Sequence, residues 1–380
     1  MVSSFAWLSL RCLGLICCWG MTPLFAEETV VDSSWEKAVE KRAWSFPRDH
    51  GAHPEFQTEW WYFTGNLREK DGQDLFGYQF TLFRQGAVKI PKQQSRFALR
   101  DVFFGHFAVT DVAARRFHFF ERVSRGALGL ADYSKEAMNI RLEDWQVRQI
   151  GPDAFELEAQ DGPVSLKLQL EAVKPKVFQG DQGLSQKGEG KGNASHYYSY
   201  TRLKSRGELR VGEQRREVEG WSWFDHEFST SFLAKEQIGW DWFSIQLDSG
   251  EELMVYALRR SDGSMDRYSH GSWVRADGSS RHLKAGEYEI TVLDHWKSTR
   301  SGGKYPSRWR VSVPSESIVL EVEPVLADQE LRLEGLGPLN YWEGSCRVWG
   351  KRGGDPVSGR GYVEMTGYAG GLQGRMQGED

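Results

Sequence analysis

The chain carries the same series of strand patterns twice, and this internal repeat is the strongest constraint on its fold. Aromatic and histidine residues mark corresponding points of the two copies, in the same order: Trp61 and Trp242, His106 and His270, Trp145 and Trp309, Tyr197 and Tyr341. A repeat of about 150 residues corresponds to a duplicated domain rather than to a solenoid unit. Each copy holds many short alternating strands separated by turns, which predicts an antiparallel barrel or sandwich.

The composition agrees with an all-β chain. The sequence has 16 tryptophans and 41 glycines with few helical stretches, which indicates β-sheets with aromatic interiors. We expect two domains, at residues 27–232 and 233–380, after a leader at residues 1–26. The net charge of −5 gives no basic surface for a nucleic acid. No stretch after the leader approaches a membrane span.

The leader has the pattern of a secretory signal peptide. Arg11 precedes the apolar run Leu13 to Trp19, and Ala26 offers a cleavage site before Glu27. We therefore expect a periplasmic or secreted protein whose signal peptide is cleaved near Ala26. Three of the four cysteines lie in the leader, so the mature chain keeps Cys346 alone and cannot form an internal disulfide.

Residues 221–226, with the sequence WSWFDH, give the clearest indication of function. A period of two places Trp221, Trp223 and Asp225 on one face of a strand, with Ser222, Phe224 and His226 on the other. An Asp in line with two tryptophans is a carboxyl group in an apolar wall. Desolvation there raises the pKa of the acid and keeps a proton available for donation.

Two residues upstream complete a candidate general-acid site. His196 and Tyr198 share a face of a neighbouring strand, and we predict that they converge with Trp223 and Asp225 in one apolar pocket of the first domain. The second copy has Asn340 and Thr366 where the first has His196 and Asp225, so the His/Asp pair is specific to the first copy. The alternative is a structural Asp225 that caps a turn or pairs with an arginine such as Arg202.

Other candidates are weaker. Glu59 is a second candidate acid lining a pocket, with a hydrogen-bonded core glutamate as the alternative. His50, His53 and Glu55 have metal-ligating side chains, but an open loop lacks the second shell that orients ligands, and no metal site is predicted. The glycine-rich stretch 179–192 is expected to be a mobile loop, with a lid over the site as the alternative.

A nucleophilic hydrolase is disfavoured by the sequence. It has no Gly-x-Ser-x-Gly elbow, and Cys346 has no evident histidine partner.

Motifs spread over nearly the whole mature chain resemble one family. They are Gln57-Thr58-Glu59-Trp60-Trp61-Tyr62, Gly105-His106-Phe107-Ala108, Asn193-Ala194-Ser195-His196-Tyr197-Tyr198, Asp225-His226-Glu227, Gly239-Trp240-Asp241-Trp242-Phe243, Tyr341-Trp342-Glu343-Gly344 and Gly361-Tyr362-Val363-Glu364. Together they resemble carotenoid 1,2-hydratase (hydroxyneurosporene synthase) and the related AttH-type secreted proteins.

The resemblance implies two tandem lipocalin-like antiparallel β-barrel domains. It also implies a hydratase chemistry in which an isolated isoprenoid double bond is protonated and water captures the carbocation. The resemblance assigns the site roles of the hydratases to His196, Tyr198, Trp223 and Asp225. The hydratase pattern has Trp at the position of Tyr198 and Tyr at that of Trp223, so the AttH-type branch is the better match. The resemblance further implies a link to a lipid-type ABC transporter.

The sequence therefore predicts an exported protein that adds water to a double bond of an apolar, isoprenoid- or lipid-like molecule by acid catalysis. Asp225 would donate the proton, and no cofactor or metal is required. We also predict substrate-binding roles for Trp221, Glu59, Trp61 and His106. The alternatives are a non-catalytic periplasmic carrier of a hydrophobic ligand, since lipocalin-type barrels enclose apolar molecules, and a secreted hydrolase of unknown substrate.

Overall fold

The computed structural model describes residues 35–72, 75–89, 95, 98–231, 233–333 and 339–370. The predicted signal peptide and its cleavage site near Ala26 lie outside these residues. β-Strands make up 64% of the described residues, which include no α-helix. It has three short 3-10 helices, at Arg48–His50, Ala127–Gly129 and Pro314–Glu316.

Thirteen strands belong to the first sheet. They are β1 (Thr58–Glu69), β2 (Leu75–Gly86), β3 (Asp101–Asp111), β4 (Arg116–Ser124), β5 (Ala131–Tyr133), β6 (Asn139–Leu142), β7 (Trp145–Gly151), β8 (Ala154–Asp161), β9 (Val164–Ala172), β10 (Val177–Phe178), β11 (Leu184–Gln186), β12 (Ala194–Val211) and β13 (Gln214–Ser229).

Ten strands belong to the second sheet. They are β14 (Gln237–Leu247), β15 (Glu252–Arg260), β16 (His270–Val274), β17 (Ser280–Lys284), β18 (Glu289–Lys297), β19 (Lys304–Val313), β20 (Ile318–Pro324), β21 (Glu330–Leu333), β22 (Leu339–Arg352) and β23 (Asp355–Ala369).

The two sheets share one strand order, as expected of a duplicated domain. The first runs β4-β3-β2-β1-β13-β12-β9-β8-β7-β6-β5, with β10 and β11 paired to β12, and curls into a nearly closed barrel. The second runs β17-β16-β15-β14-β23-β22-β20-β19-β18, with β21 paired to β22, and forms a half-barrel. The prediction of an all-β fold with two lipocalin-like barrel domains is confirmed, with the difference that the second barrel is only half closed.

Along each strand, every second side chain points into a barrel, and these side chains fill the two barrel interiors. On β1, Trp61, Phe63 and Leu67 point into the first barrel, whose core is a continuous cluster of buried aromatic and aliphatic side chains. The second core is equally aromatic, with Phe243, Trp273 and Trp309 among its members. Because side chains pack the interior of the first barrel, its centre is a core rather than an open ligand cavity.

The outer faces of β1, β12 and β13 are also buried, because the second domain covers them. Between the two sheets lies a mostly aromatic cluster, which we call the interdomain layer: Tyr62, Tyr197, Trp223, Trp242, Met254, Tyr256 and Leu258. Trp242 packs edge-on against both Tyr62 and Trp223, at ring-centroid distances of 5.3 and 6.1 Å. The two domains therefore meet through a built interface at the strands that carry the predicted site.

Part of the glycine-rich stretch 179–192, which was predicted to be a mobile loop, belongs to the sheet. Strand β11 lies inside the stretch, and its Leu184 and Gln186 pair with His196 and Ala194 of β12. Gly183, at φ 94°, sits where a Cβ atom would collide with the indole of Trp44.

Among the described residues, no helix has the length and apolar character to cross a membrane.

Candidate functional site

Strand β13 places alternate side chains in two different environments. Trp223 and Asp225 lie on its outer face, toward the second domain, while Phe224 and His226 point into the first barrel. The faces predicted within this strand are therefore confirmed. Asp225 is 3% exposed and His226 is fully buried, so neither side chain is at the surface.

The predicted partners of Asp225 on β12 lie on the wrong face. In the register between β12 and β13, Tyr198 is opposite His226 and Ser199 is opposite Asp225. His196 and Tyr198 consequently point into the first barrel, away from the carboxyl group. The predicted convergence of His196 and Tyr198 with Trp223 and Asp225 is wrong, because a shift of one residue in strand pairing exchanges the two faces.

Three hydrogen-bond donors surround the Asp225 carboxyl group. The Tyr197 hydroxyl donates to Oδ2 at 2.8 Å, and Ser199 Oγ and Trp223 Nε1 donate to Oδ1 at 2.5 and 2.8 Å. No Lys or Arg of the described ranges forms an ion pair with Asp225. Burial raises the pKa of Asp225 to about 7, although the three hydrogen bonds, which favour the carboxylate, act in the opposite direction.

Arg202, the arginine proposed as a structural partner of Asp225, pairs elsewhere. Its guanidinium bonds Glu252 of β15 and the Leu247 carbonyl oxygen, at 2.9 Å for the latter. It also lies over the Trp221 ring, 5.2 Å from the centroid. Trp221 itself is 39% exposed at the rim of the interface, so of the two tryptophans only Trp223 contacts the acid.

A second pair of acids occupies the part of the interface formed by β22 and β23. Glu343 and Glu364 are directly opposite each other in the antiparallel pairing of these strands. Burial raises the pKa of Glu364 to about 7, with the charges of Asp225 and Glu227 acting in the same direction. Burial, followed by the charge of Glu364, raises the pKa of Glu343 well above its usual range.

The cation beside these acids already has a partner. Lys187 Nζ is 2.9 Å from Glu227 Oε1 and lies over the rings of Tyr197 and Tyr256, at 5.3 and 4.6 Å from their centroids. Burial lowers the pKa of Lys187, but the charge of Glu227, together with Tyr256 and the hydrogen bonds to both, outweighs it, and the pKa lies above its usual value. Lys187 is thus a permanent cation, paired with Glu227 rather than with Asp225.

The interior of the first barrel holds a different kind of polar cluster, which we call the inner network. Its centre is Glu59, whose Oε1 is 2.9 Å from both His53 Nδ1 and His226 Nε2. The same carboxylate accepts hydrogen bonds from Arg84 Nε at 3.2 Å and from the His53 backbone N–H. Burial alone would raise the pKa of Glu59, but hydrogen bonds from the two histidines and the Arg84 charge lower it far below its usual value.

Hydrogen bonds extend the inner network toward the barrel end. Tyr198 OH is 3.2 Å from His226 Nδ1 and 2.7 Å from His50 Nδ1. His53 Nε2 lies 3.1 Å from Asp49 Oδ1, so both nitrogens of this ring face carboxylate oxygens. The buried His53 ring thus joins the carboxylates of Asp49 and Glu59 in one polar network.

One set of described side chains has the types and spacing of metal ligands. One atom each of His53, Glu59 and His226 lies within 4.8 Å of the others. Both histidine nitrogens are hydrogen-bonded to Glu59 Oε1 itself, and Arg84 bonds the second oxygen of the same carboxylate. Glu55, which the loop motif grouped with His50 and His53, forms an ion pair with Arg48 instead.

The remaining predicted residues are dispersed. His196 is 5% exposed, burial lowers its pKa to about 4, and it lines a shallow groove together with Phe56 and the segment 36–43. Trp61 is in the first core, where its ring stacks on His226. His106 faces the second domain and is 2.6 Å from Tyr341 OH through Nδ1. Of the predicted substrate-binding residues, Glu59 and Trp61 thus belong to the inner network or its walls.

The similarity of this chain to known proteins identifies its family. The sequence profile of the AttH-like family matches residues 37–368. The chain belongs to the AttH-like family. A structure of a Nitrosomonas europaea protein described as AttH is 31% identical, with 88% of this chain and 99% of that chain covered and a TM-score of 0.78.

Two further solved structures share the fold of this AttH-like chain. Kievitone hydratase of Nectria haematococca is 13% identical, with 88% of this chain and 97% of that chain covered and a TM-score of 0.67. CghA in complex with Sch210972 is 11% identical, with 82% and 88% covered and a TM-score of 0.54. At such identities these two likenesses show the fold alone. No curated protein sequence matches the chain.

The residues that sequence reasoning missed are those on the other face of β12 and on the second copy. Tyr197 and Ser199 are the donors to Asp225, and each is next to a residue that was predicted. Glu343 and Glu364 were noted only as parts of family motifs. Their signal is present in the repeat, since two acids at neighbouring positions of a hairpin face the first domain where the rest of the layer is aromatic.

The interdomain layer of this AttH-like protein has the elements of acid chemistry. It holds an acid that stays protonated close to neutral pH, donors that stabilise its carboxylate, and indole and phenol rings beside it. Aromatic faces stabilise nearby cations. The inner network also has donors and aromatic rings, but the pKa of its carboxylate is lowered and its oxygens are paired with His53, His226 and Arg84, so it holds no proton to donate.

Proposed function

We propose that this protein catalyses the addition of water to a carbon–carbon double bond of an apolar, isoprenoid- or lipid-like molecule, with Asp225 as the general acid. The observation that carries the proposal is a buried carboxyl group without an ion-pair partner, whose pKa burial raises to about 7, next to aromatic rings. An acid tuned toward the working pH is the requirement for proton donation at neutral pH.

In the proposed step, one water adds across the double bond. The Asp225 hydroxyl transfers its proton to one alkene carbon, and the π electrons form the new C–H bond, which leaves a carbocation at the other carbon. A water oxygen then bonds to the cationic carbon. The resulting oxonium returns a proton to the Asp225 carboxylate, so the acid is regenerated and the net change is the addition of one water.

The groups around Asp225 have distinct roles in this proposal. Hydrogen bonds from Tyr197, Ser199 and Trp223 stabilise the carboxylate that exists after the proton has left. The Trp223 and Trp242 rings, at 83° to each other, provide π faces for the cation. Water is the only co-reactant, and Asp225 both donates the first proton and accepts the last.

The family and fold are compatible with this chemistry. Kievitone hydratase has the same fold, and its name states a hydration. That likeness carries no residue roles, so the argument for Asp225 rests on its own surroundings.

The setting is part of the proposal. We place the mature protein in the periplasm or outside the cell after cleavage near Ala26, and N-terminal sequencing of exported protein should begin at Glu27. A retained Met1 would refute the export. The link to a lipid-type ABC transporter rests on the family resemblance.

The experiment measures the uptake of labelled water. The purified protein is incubated with an apolar cell extract in ¹⁸O-water, and mass spectrometry identifies products that have gained one labelled water. Asp225→Asn keeps the size of the side chain but removes the acid, and should lower the rate at least ~10²-fold, the usual scale of general acid catalysis. Binding of the substrate should persist.

A matched control is available in Asp241→Asn. Asp241 is also buried, but it is paired with Arg259 at 3.0 Å and bonded by Tyr368 at 2.9 Å. This variant should keep the wild-type rate. A wild-type protein that retains an apolar molecule through purification and never adds label to it would establish the carrier alternative. Full activity in Asp225→Asn would place the acid elsewhere.

A further inference from the structure

The interface beside the interdomain layer contains more unsatisfied polar atoms than a dry interface should. Among the described residues, five buried atoms on facing strands have no partner at hydrogen-bonding distance and angle: Tyr62 OH, Thr64 Oγ1, Gln79 Oε1, Glu343 Oε2 and Tyr362 OH. All five residues are at most 6% exposed. Native proteins rarely leave such groups unpaired, because each costs free energy unless a water or a ligand satisfies it.

These atoms belong to one contact between the two sheets. Tyr62 and Thr64 alternate with the core residues of β1, and Glu343 and Tyr362 alternate with the core residues of β22 and β23. The sheets touch here, since Ser345 Oγ is 2.5 Å from Asn66 Oδ1. The unpaired atoms therefore face one another across the interface, beside the aromatic cluster that contains Asp225.

Glu343 and Glu364 cannot both be ionised at this place. They are directly opposite on neighbouring strands, where like charges repel strongly, and they are in contact with little water. Such a pair shares one proton at neutral pH, as carboxylate dyads do. It then offers one hydroxyl donor and three acceptor oxygens. The Tyr62 hydroxyl lies close enough to Glu343 to act on its pKa, but no described donor meets Glu343 Oε2 at hydrogen-bonding distance and angle.

The charge of the region excludes one class of ligand. Asp225, Glu227 and Glu364 act on one another electrostatically. A carboxylate or phosphate in this place would meet the Glu343–Glu364 pair, and Lys187, the described cation that acts on Glu364, is already paired with Glu227.

We propose that the Glu343–Glu364 pair and the Tyr62 and Tyr362 hydroxyls bind a hydroxyl group of an uncharged substrate and exclude anionic lipids. The inference rests on the proposed function, because it names the polar end of the molecule whose double bond Asp225 protonates. The substrate hydroxyl donates to the ionised carboxylate and accepts from a phenol or from the shared proton. Its apolar part then lies along Trp223 and Trp242, toward Asp225.

The test uses three probes with one carbon skeleton: geraniol, geranylamine and geranic acid. Their affinities for the full mature protein are measured by isothermal titration calorimetry at neutral pH. Geraniol should bind at least ~10-fold more tightly than geranic acid, since placing like charges together costs more than one factor of ten. Glu364→Gln and the double variant Glu343→Gln/Glu364→Gln should reduce this ratio toward one. Asp241→Asn, outside the layer, should leave it unchanged.

Any of the following results would overturn the proposal. Equal binding of geraniol and geranic acid, or a ratio that the variants do not change, removes the selective role of the pair. Geranylamine binding more than ~10-fold tighter than geraniol would make the pair a cation site instead. Absence of binding by all three probes would remove the hydroxyl site. If circular dichroism shows that the double variant does not fold, the test rests on the single variant Glu364→Gln, since Glu364 is only partly buried.

Failure of this inference can be told from failure of the proposed function. Loss of label incorporation in Asp225→Asn does not depend on which end of the substrate is polar. A protein that hydrates a molecule without any hydroxyl group keeps the catalytic role of Asp225 and loses only the binding site described here.

Discussion

Asp225 and His226 are consecutive residues of β13, yet they end in opposite electrostatic environments. His226 points into the first barrel and joins the inner network, where Glu59 is held by two histidines and Arg84. Asp225 points into the interdomain layer, where its three partners are neutral donors. Both sites are buried to a similar degree, so burial does not distinguish them. The presence or absence of a cationic partner does.

This difference separates a structural role from a chemical one. In the inner network the pKa of Glu59 is lowered, and the charge that it carries stabilises the folded chain. In the interdomain layer the pKa of Asp225 is raised, and the proton that it keeps is available for transfer. One strand thus supplies a stabilising network with one face and a reactive group with the other.

The largest expected effect is on stability, and it should separate the two regions. Glu59→Gln removes the carboxylate that pairs with Arg84 and both histidines, and we expect a loss of about 3–5 kcal/mol, as for other broken buried ion pairs. Asp225→Asn should keep or raise the free energy of unfolding, because a neutral amide replaces a buried acid. Urea unfolding at neutral pH measures both. Equal destabilisation by the two variants would contradict the assignment of a structural role to Glu59 and a chemical role to Asp225.

Next in size is the pH dependence of turnover. General acid catalysis requires protonated Asp225, so the rate should be constant at low pH and fall above about pH 7, where its pKa lies, by about tenfold per pH unit. Steady-state rates of label incorporation give the profile. The Asp241→Asn control should show the same fall in rate above about pH 7. A rate that rises through neutral pH would mean that the ionised carboxylate is the active form.

Stability should follow pH with the opposite sign from an ordinary ion pair. The pKa of Asp225 is raised from 3.8 to about 7, so its contribution is fully present below about pH 4 and is lost as the pH rises through about 7. The melting temperature of Asp225→Asn relative to the wild type should therefore be lowest at acid pH and increase toward about pH 8. A difference independent of pH would contradict the raised pKa.

Several of these features could be read from the sequence, and the repeat carried most of that information. The two copies of the strand pattern predicted tandem all-β domains, and the common strand order of the two sheets agrees. Alternation within residues 221–226 correctly placed Trp223 and Asp225 on one face. Such predictions depend on local periodicity, which a single strand contains in full.

The partners of Asp225 could not be read in the same way. Which face of β12 meets which face of β13 depends on register, and a shift of one residue exchanges His196 and Tyr198 for Tyr197 and Ser199. The bulge between Tyr200 and Leu203 shifts the pairing once more. Packing of the two sheets against each other is non-local, so a strand buried on both faces gives no sign of which face belongs to the site.

The smallest expected effect tests this exchange of faces with neighbouring residues. Tyr197→Phe removes a donor that favours the Asp225 carboxylate, so the alkaline limb of the rate profile should move up by about one pH unit or less. Tyr198→Phe, one residue along the same strand, should not move it, because this hydroxyl bonds His50 and His226 inside the barrel. If the alkaline limb moved in Tyr198→Phe and not in Tyr197→Phe, Tyr198 would be the residue beside Asp225, as predicted from the sequence.

The central claim, that Asp225 is a protonated acid, can be measured without any substrate. Infrared spectra of protein labelled with ¹³C at the Asp carboxyl groups report the protonated carboxyl band as the pH is raised. The account predicts a band that disappears with a midpoint near pH 7, the raised pKa of Asp225, and that is missing from Asp225→Asn. A spectrum in which every aspartate is already ionised at about pH 5, near the ordinary range, would contradict it.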